Sequence, residues 1–411
     1  MRASTLLRRL LGIAEARVEG AVFTVLGGLG VAVRPRWRHS RCGQCGRRAP
    51  RYDRQPLRRW SHLSYGRTRV ELTYEPWRVG CRRCGVRTER VPWADHGSRF
   101  TRDFEELVAY LAQITDKTKV TELTGIAWKT VGAIVERVVG RRLAPDRFDG
   151  LRCIGVDEFS YRKHHRYLTV VVDHDRRRVV WAAEGRSGEV LARFFAELGP
   201  ERCAAIKVVT MDLAAGYRRA VESCVPGAEI VYDRFHVQRL ASDAVDRVRR
   251  AIVRELAGEQ AEEARAIKNS RYALLKNPWN LNAAEQNKLA TLQQSNRPLY
   301  RAYLLKEALA DALDYRYVAY ARPALESWLS WASRSQLKPF VRVARTIRKH
   351  LDGILAYVRT RLTNGFTEGT NNKLRLVARR AYGFHSPQPL IAMLFLTSGG
   401  IRLSPPLPTG S

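Results

Sequence analysis

Two sets of side chains in this 411-residue sequence have the types and spacings that do chemistry. The first is a pair of knuckles, Cys42-Gly43-Gln44-Cys45 and Cys81-Arg82-Arg83-Cys84, separated by 35 residues. A two-residue gap lets both sulfurs of a knuckle reach one ion, so four thiolates enclose a single tetrahedral Zn2+ with no open position for water. The expectation is one structural zinc whose binding supplies folding energy. The second set is acidic: Asp157 inside a strand-like run (GVDEF), Asp212 at the end of another (VVTMD) and Glu368 near the start of a helix (NGFTEGTNN). Three converging carboxylates repel one another. Two divalent ions relieve this while activating a nucleophile and stabilising a leaving oxygen, an arrangement suited to phosphodiester chemistry. Hard oxygen ligands favour Mg2+ or Mn2+ there.

The elements that must position these residues follow from periodicity. Residues 1–98 alternate like short strands, with Gly20 to Val33 (GAVFTVLGGLGVAV) reading as a hairpin and Trp60 to Trp77 as the ribbon between the knuckles. Residues 99–143 read as a helix-turn-helix, with a turn at Gly125 and a second helix from Trp128. Such a motif lays its second helix in the major groove of DNA, where Trp128, Lys129 and Thr130 would touch bases or phosphates. After a linker at 144–152, the period switches to β-β-β-α-β-α-β, a mixed sheet covered by helices in which the first and fourth strands are neighbours. Their carboxylates can then meet although Asp157 and Asp212 are 55 positions apart. Residues 237–361 read as helix throughout, and the Pro-rich end at 398–411 reads as a flexible tail.

Several other residues read as structural. Glu158 faces away from Asp157 by strand alternation. Asp173 and Asp175 read as turn residues, and His164 and His165 as a polar turn. Cys153, Cys203 and Cys224 read as small core residues, and Trp279, Trp328 and Trp331 as helical core.

Charge says what the partner is. The chain carries 72 Lys+Arg against 40 Asp+Glu, a net charge of +32, and 22 Arg but no Lys lie in its first 100 residues. An excess of this size calls for a polyanion. A membrane fits poorly, because the uncharged stretch Gly20 to Val33 is short of the ~18 residues a spanning helix needs and is broken by Gly27, Gly28 and Gly30. Arg8 and Arg9 interrupt the N-terminal apolar run, so it lacks the core of a secretory signal, and seven Cys with two CxxC pairs suit metal binding in the cytoplasm. Lys373, Arg375, Arg379 and Arg380, close after Glu368, read as phosphate contacts.

GVDEFSYRK, VVTMDLAAGYRRAV, VYDRFHV, KNPWNLNAAEQNKL and LTNGFTEGTNNKLRLVARRAYGF, in this order, resemble the signatures of the ISL-three family of bacterial insertion-sequence transposases. The resemblance runs from the knuckles to Phe384. It implies a multidomain α+β protein: a zinc ribbon-like module (1–98), a helix-turn-helix (99–143), and a ribonuclease H-like mixed α/β catalytic domain (150–236 and 362–397) interrupted by an all-α insertion (237–361). It further implies a DDE triad of Asp157, Asp212 and Glu368. Asp233-Arg-Phe-His236 resembles an element of related transposases, so Asp233 competes with Asp212 as second acid; strand count favours Asp212, with Asp233 and His236 supporting the site.

The function expected is a cytoplasmic, nucleoid-associated DNA transposase that binds terminal inverted repeats and target DNA, assembles on DNA as a homodimer or higher, and performs cleavage and strand transfer. Two alternatives stand beside it: a non-catalytic zinc and helix-turn-helix regulator, and a ribonuclease H-like nuclease without strand transfer.

Overall fold

The computed structural model describes residues 3–13, 15–25, 27–162, 166–256, 258, 260–380 and 386–404. His164 and His165 lie outside them, as do residues 405–411 of the expected tail. The chain divides into two compact units, residues 1–143 with 379–411, and residues 144–378.

The first unit opens with α1 (Ala3–Leu10) and the antiparallel hairpin β1 (Ala16–Phe23) and β2 (Leu29–Pro35), as the alternation of that stretch predicts. Five further strands follow: β3 (Arg51–Arg54), β4 (Arg58–Tyr65), β5 (Thr68–Tyr74), β6 (Trp77–Cys81) and β7 (Gly85–Thr88). They form two sheets, β1-β2-β5-β4 and β3-β6-β7. This corrects the expected ribbon. Residues 60–77 do form strands, but β4 and β5 belong to the larger sheet, whereas the second knuckle joins β6 to β7 of the smaller one and the first precedes β3, with Cys42 bridged to Glu89 just past β7. The reason is apolar alternation: Trp60, Val70 and Leu72 point into a core with Val31, Val33 and Trp93, where Trp60 and Trp93 meet edge to face at 5.6 Å.

Three helices come next: α2 (Arg102–Ile114), capped by the Thr101 hydroxyl, α3 (Lys117–Thr124), capped by Asp116, and α4 (Trp128–Arg142). Gly125 ends α3 in the left-handed region (φ 70°), a conformation glycine adopts without strain. The side chain of Glu105 on α2 is fully buried and pairs with Arg137 and Arg141 of α4 at 2.7 and 2.6 Å. The helix Pro387–Ser398 also packs on α2 and α4, with Gln113 Nε2 donating to the Leu396 carbonyl at 2.7 Å. Sequence had placed it in the second part of the catalytic domain; it groups with the helix-turn-helix unit instead, because its nearly all-round apolar surface needs more cover than solvent allows.

The second unit is built on a five-stranded sheet of β8 (Cys153–Arg162), β9 (Arg166–Asp173), β10 (Arg178–Glu184), β11 (Val208–Met211) and β12 (Glu229–Tyr232), in the order β10-β9-β8-β11-β12. The first three strands are antiparallel, while β8, β11 and β12 run parallel, as their helical crossovers α5 (Gly188–Leu198), α6 (Pro200–Ala205) and α7 (Ala215–Cys224) require. Between β12 and the next return to the sheet the described residues form helices only: α8 (Arg234–Glu255), α9 (Ala261–Asn269), α10 (Arg271–Leu275), a 3-10 turn, α11 (Ala283–Ser295), α12 (Arg297–Asp314), α13 (Val318–Arg334), α14 (Lys338–Lys349) and α15 (Leu351–Thr360). In them Trp328 is core, its Nε1 donating to the Leu305 carbonyl, but Trp279 is 74% exposed, against the core expectation. It lies in the 3-10 turn, which buries no side chain. Helix α15 packs on β12 so closely that a Cβ on Gly353 would lie 2.5 Å from the Tyr232 ring. Arg361 then terminates α15 at φ 56°, and α16 (Gly365–Arg380) follows.

Candidate active site and metal centre

Strand register puts three acids in one row. β11 pairs with β8 as Thr210 to Gly155 and with β12 as Met211 to Tyr232. Continued along parallel strands, the pairing sets Asp212 level with Asp157 on one side and with Asp233 on the other. Asp157 and Asp212 thus stand on adjacent strands, about 4.8 Å apart across the sheet. Asp233 stands one strand further on.

The three carboxylates are held differently. Asp157 Oδ1 accepts the Glu158 N–H at 2.7 Å, and Oδ2 accepts from Asn371 Nδ2 of α16 at 2.8 Å. Burial pushes its pKa up to about 6, with the charges of Asp212 and Asp233 adding to the effect and His236 opposing it. Asp212 accepts from the Ala214 N–H at 2.9 Å, which folds the loop after β11 back on itself. Asp233 is buried; it accepts from the Asn364 N–H at 3.2 Å and pairs with His236 Nδ1 at 3.2 Å. This bond to Asp233 raises the pKa of His236 against the effect of burial.

Sequence reasoning missed the two asparagines that bring α16 to the acids. Asn364 is buried; its N–H reaches Asp233, its Nδ2 the Val156 carbonyl at 3.4 Å, and its Oδ1 accepts from the Thr210 hydroxyl. The side chain therefore ties the start of α16 to β8 and β11, and the backbone N–H adds Asp233 just past β12. Thr210 in turn bonds His174 Nε2 at 2.7 Å. Asn371 is likewise buried, and its Oδ1 has no hydrogen-bond partner among the described residues. An orphaned buried oxygen beside a row of carboxylates suits a hard divalent cation, so the donor set fits such an ion. No signal in the sequence marks them, because only the fold buries these two asparagines beside the acids.

Glu368 lies in the first turns of α16 between these two anchors, but its side chain, like that of Arg380, lies outside the described residues. Lys373, Arg375 and Arg379 are exposed on the same helix. Glu158 is half-buried on the other face of β8, where burial and Asp212 raise its pKa. Asp173 is a turn residue as expected, accepting the N–H groups of Asp175 and Arg176.

In the first unit, Cys42, Cys45, Cys81 and Cys84 can bring their sulfurs within 4.8 Å of one another, the one such His, Cys, Asp or Glu group among the described residues. Cys42 and Cys81 are buried, and Cys45 and Cys81 sulfurs lie 3.6 Å apart. Backbone N–H groups of Arg83 and Cys84 hold the Cys81 thiol down at about 7, favouring the thiolate that a metal binds. The cluster could bind zinc. At the start of α4, Lys129 is exposed, Thr130 and Trp128 are half-buried, and the Lys117 ammonium sits 4.1 Å from the Trp128 ring centre.

Comparison with known proteins gives the family. Residues 154–394 match a family model described as "Transposase" of the ISL3 type, and residues 89–139 match the "Helix-turn-helix domain of transposase family ISL3". The chain is 43% identical over 439 residues to the "Transposase for insertion sequence element IS1557" of Mycobacterium tuberculosis, covering 99% of this chain and 98% of that protein. It is 32% identical over 362 residues to the "Transposase for insertion sequence element IS1001" of Bordetella parapertussis, covering 88% and 89%.

Proposed function

This chain belongs to the ISL3 family of insertion-sequence transposases and is a DNA transposase, and from that premise we propose how its residues divide the work. The second unit is a ribonuclease H-like catalytic domain, and α8 to α15 are an all-α insertion between its second and third acids. Asp157, Asp212 and Glu368 form the catalytic triad and hold two Mg2+ or Mn2+ ions. Ions held there supply the activation of the attacking oxygen and the stabilisation of the leaving oxygen at phosphorus. The chain's own residues set the geometry: Asn371 and the Glu158 N–H fix both oxygens of Asp157, and Asn364 locks the start of α16 against the sheet. His236 stays bonded to Asp233 and braces the row from the first turn of α8.

Cleavage frees a 3′-hydroxyl at the element's end, and that hydroxyl attacks target DNA. Both steps are in-line displacements at phosphorus, so one site serves both. The first unit grips terminal inverted repeats, through a zinc-stabilised module at Cys42, Cys45, Cys81 and Cys84 and through Trp128, Lys129 and Thr130 of α4. Lys373, Arg375, Arg379 and Arg380 contact phosphates beside the acids. The protein works on the nucleoid in the cytoplasm, as a dimer or higher on DNA, because two ends must be joined.

The observation that carries the choice of acids is the strand register, with Asp212 on the strand adjacent to Asp157 and Asp233 one strand away. Strand cleavage of a repeat-bearing duplex by Asp212→Asn and Asp233→Asn tests it. Asp212→Asn is expected to lose cleavage by about a thousandfold, the several kcal/mol of charge stabilisation a metal site supplies, while Asp233→Asn retains a measurable rate. Full activity in Asp212→Asn would overturn the assignment.

A further inference from the structure

Helix α14 (KPFVRVARTIRK) carries five cations and no acid in its 12 residues. Phe340, Val343, Ala344 and Ile347 are buried, which fixes the helix's orientation on its neighbours α8, α13 and α15. At about 100° per residue, Lys338, Arg342, Arg345 and Lys349 fall within a wedge of about 60° on the opposite side, with Arg348 on its flank. All five are exposed, and among the described residues none has a carboxylate partner. Some other arginines of this unit are paired: Asp246 accepts Arg249 and Arg250, Asp314 pairs with Arg234 and Glu229 with Arg359. A row of unpaired like charges repels itself unless a polyanion covers it.

We propose that the exposed face of α14 is a duplex-DNA binding ridge that grips the phosphate backbone, separate from the helix-turn-helix and from the basic run after Glu368. The inference rests on the transposase reading, which supplies the DNA. The ridge is about 16 Å long, over which one strand of B-DNA advances by about five phosphates at about 3.4 Å each. An anionic membrane suits it less: an interfacial helix inserts its apolar face into lipid, and that face of α14 is buried within the unit. Nothing on the exposed row reads a base pattern, so the contact is independent of sequence.

The test uses the full chain carrying Asp157→Asn, which stops cleavage, and a duplex with one terminal repeat and long flanks. Affinity is measured against KCl concentration. In the background protein log K falls linearly with log salt, and adding Arg342→Gln, Arg345→Gln and Lys349→Gln is expected to make that slope shallower by about 2.7, at about 0.9 per phosphate released. Arg342→Lys with Arg345→Lys keeps the charge and should keep the slope. An unchanged slope in the triple Gln variant, with an unchanged melting temperature, overturns the ridge while leaving the transposase reading intact. Failure of the background protein to bind the duplex at all overturns that reading and the ridge with it. Loss of binding to phosphatidylserine vesicles in the triple variant, with the DNA slope unaltered, overturns the ridge in favour of a lipid surface.

Discussion

Carboxylates of the same type do different work in this molecule according to what surrounds them. Asp157 is pushed up by burial to about 6, whereas Asp95, also partly buried, is held below the ordinary value because Arg141 and Arg102 outweigh the burial. A depressed folded-state pKa contributes stability that is present above the unfolded value of about 3.8 and lost as pH falls through the folded one. Thermal melts should therefore show a gap between the wild type and Asp95→Asn that is constant from about pH 7 to 5 and closes in more acidic solution. Glu105 is a stronger case, because its side chain is fully buried between two arginines. Glu105→Ala leaves Arg137 without its carboxylate and Arg141 with Asp95 alone, and is expected to cost the first unit about 3 kcal/mol, read as a fall in the denaturant midpoint. The adjacency of Asp157 and Asp212 and the grouping of the four cysteines were legible in the sequence because they follow from strand order and from short spacing. Asn364 and Asn371 were not, since an asparagine in a loop or helix becomes informative only when the fold buries it beside an acid.

At the scale of elements, sheet order was readable and sheet membership was not. The alternation of short runs gives strands, and a first strand flanked by the second and fourth follows from antiparallel turns and helical crossovers. The smaller sheet of β3, β6 and β7 could not be separated from β4 and β5 by pattern, because all five are short strand-like runs of the same stretch. The helix Pro387–Ser398 was misplaced for a related reason: adjacency in sequence to α16 says nothing about which core covers an apolar helix. The seam of α15 on β12 offers a direct check on how the helical block delivers α16. Gly353→Ala places a methyl 2.5 Å from the Tyr232 ring and 3.0 Å from the Ile230 carbonyl, neither of which can retreat without moving the strand. The substitution is expected to destabilise the second unit by about 1 to 3 kcal/mol and to lower cleavage beyond what the melting shift explains, since Asn364 follows α15 directly.

At the scale of the whole molecule, the net charge of +32 acquires locations. One share lies in the first 100 residues around the cysteine cluster, another follows Glu368, and a third forms the unpaired row on α14. Repeat binding by the full chain should weaken by about a thousandfold or more between about 50 and 200 mM salt, as expected for six to ten phosphate contacts. Among the described residues no helix is long and apolar enough to cross a membrane. A single row of acids that performs both cleavage and joining is checked by incubating the protein with a labelled terminal repeat, a supercoiled target plasmid and Mg2+, and resolving the products. Cleaved ends and plasmid-joined ends are expected with the wild type and neither with Asp157→Asn; cleavage without joined product, or joining that survives Asp157→Asn, would rule out the shared site.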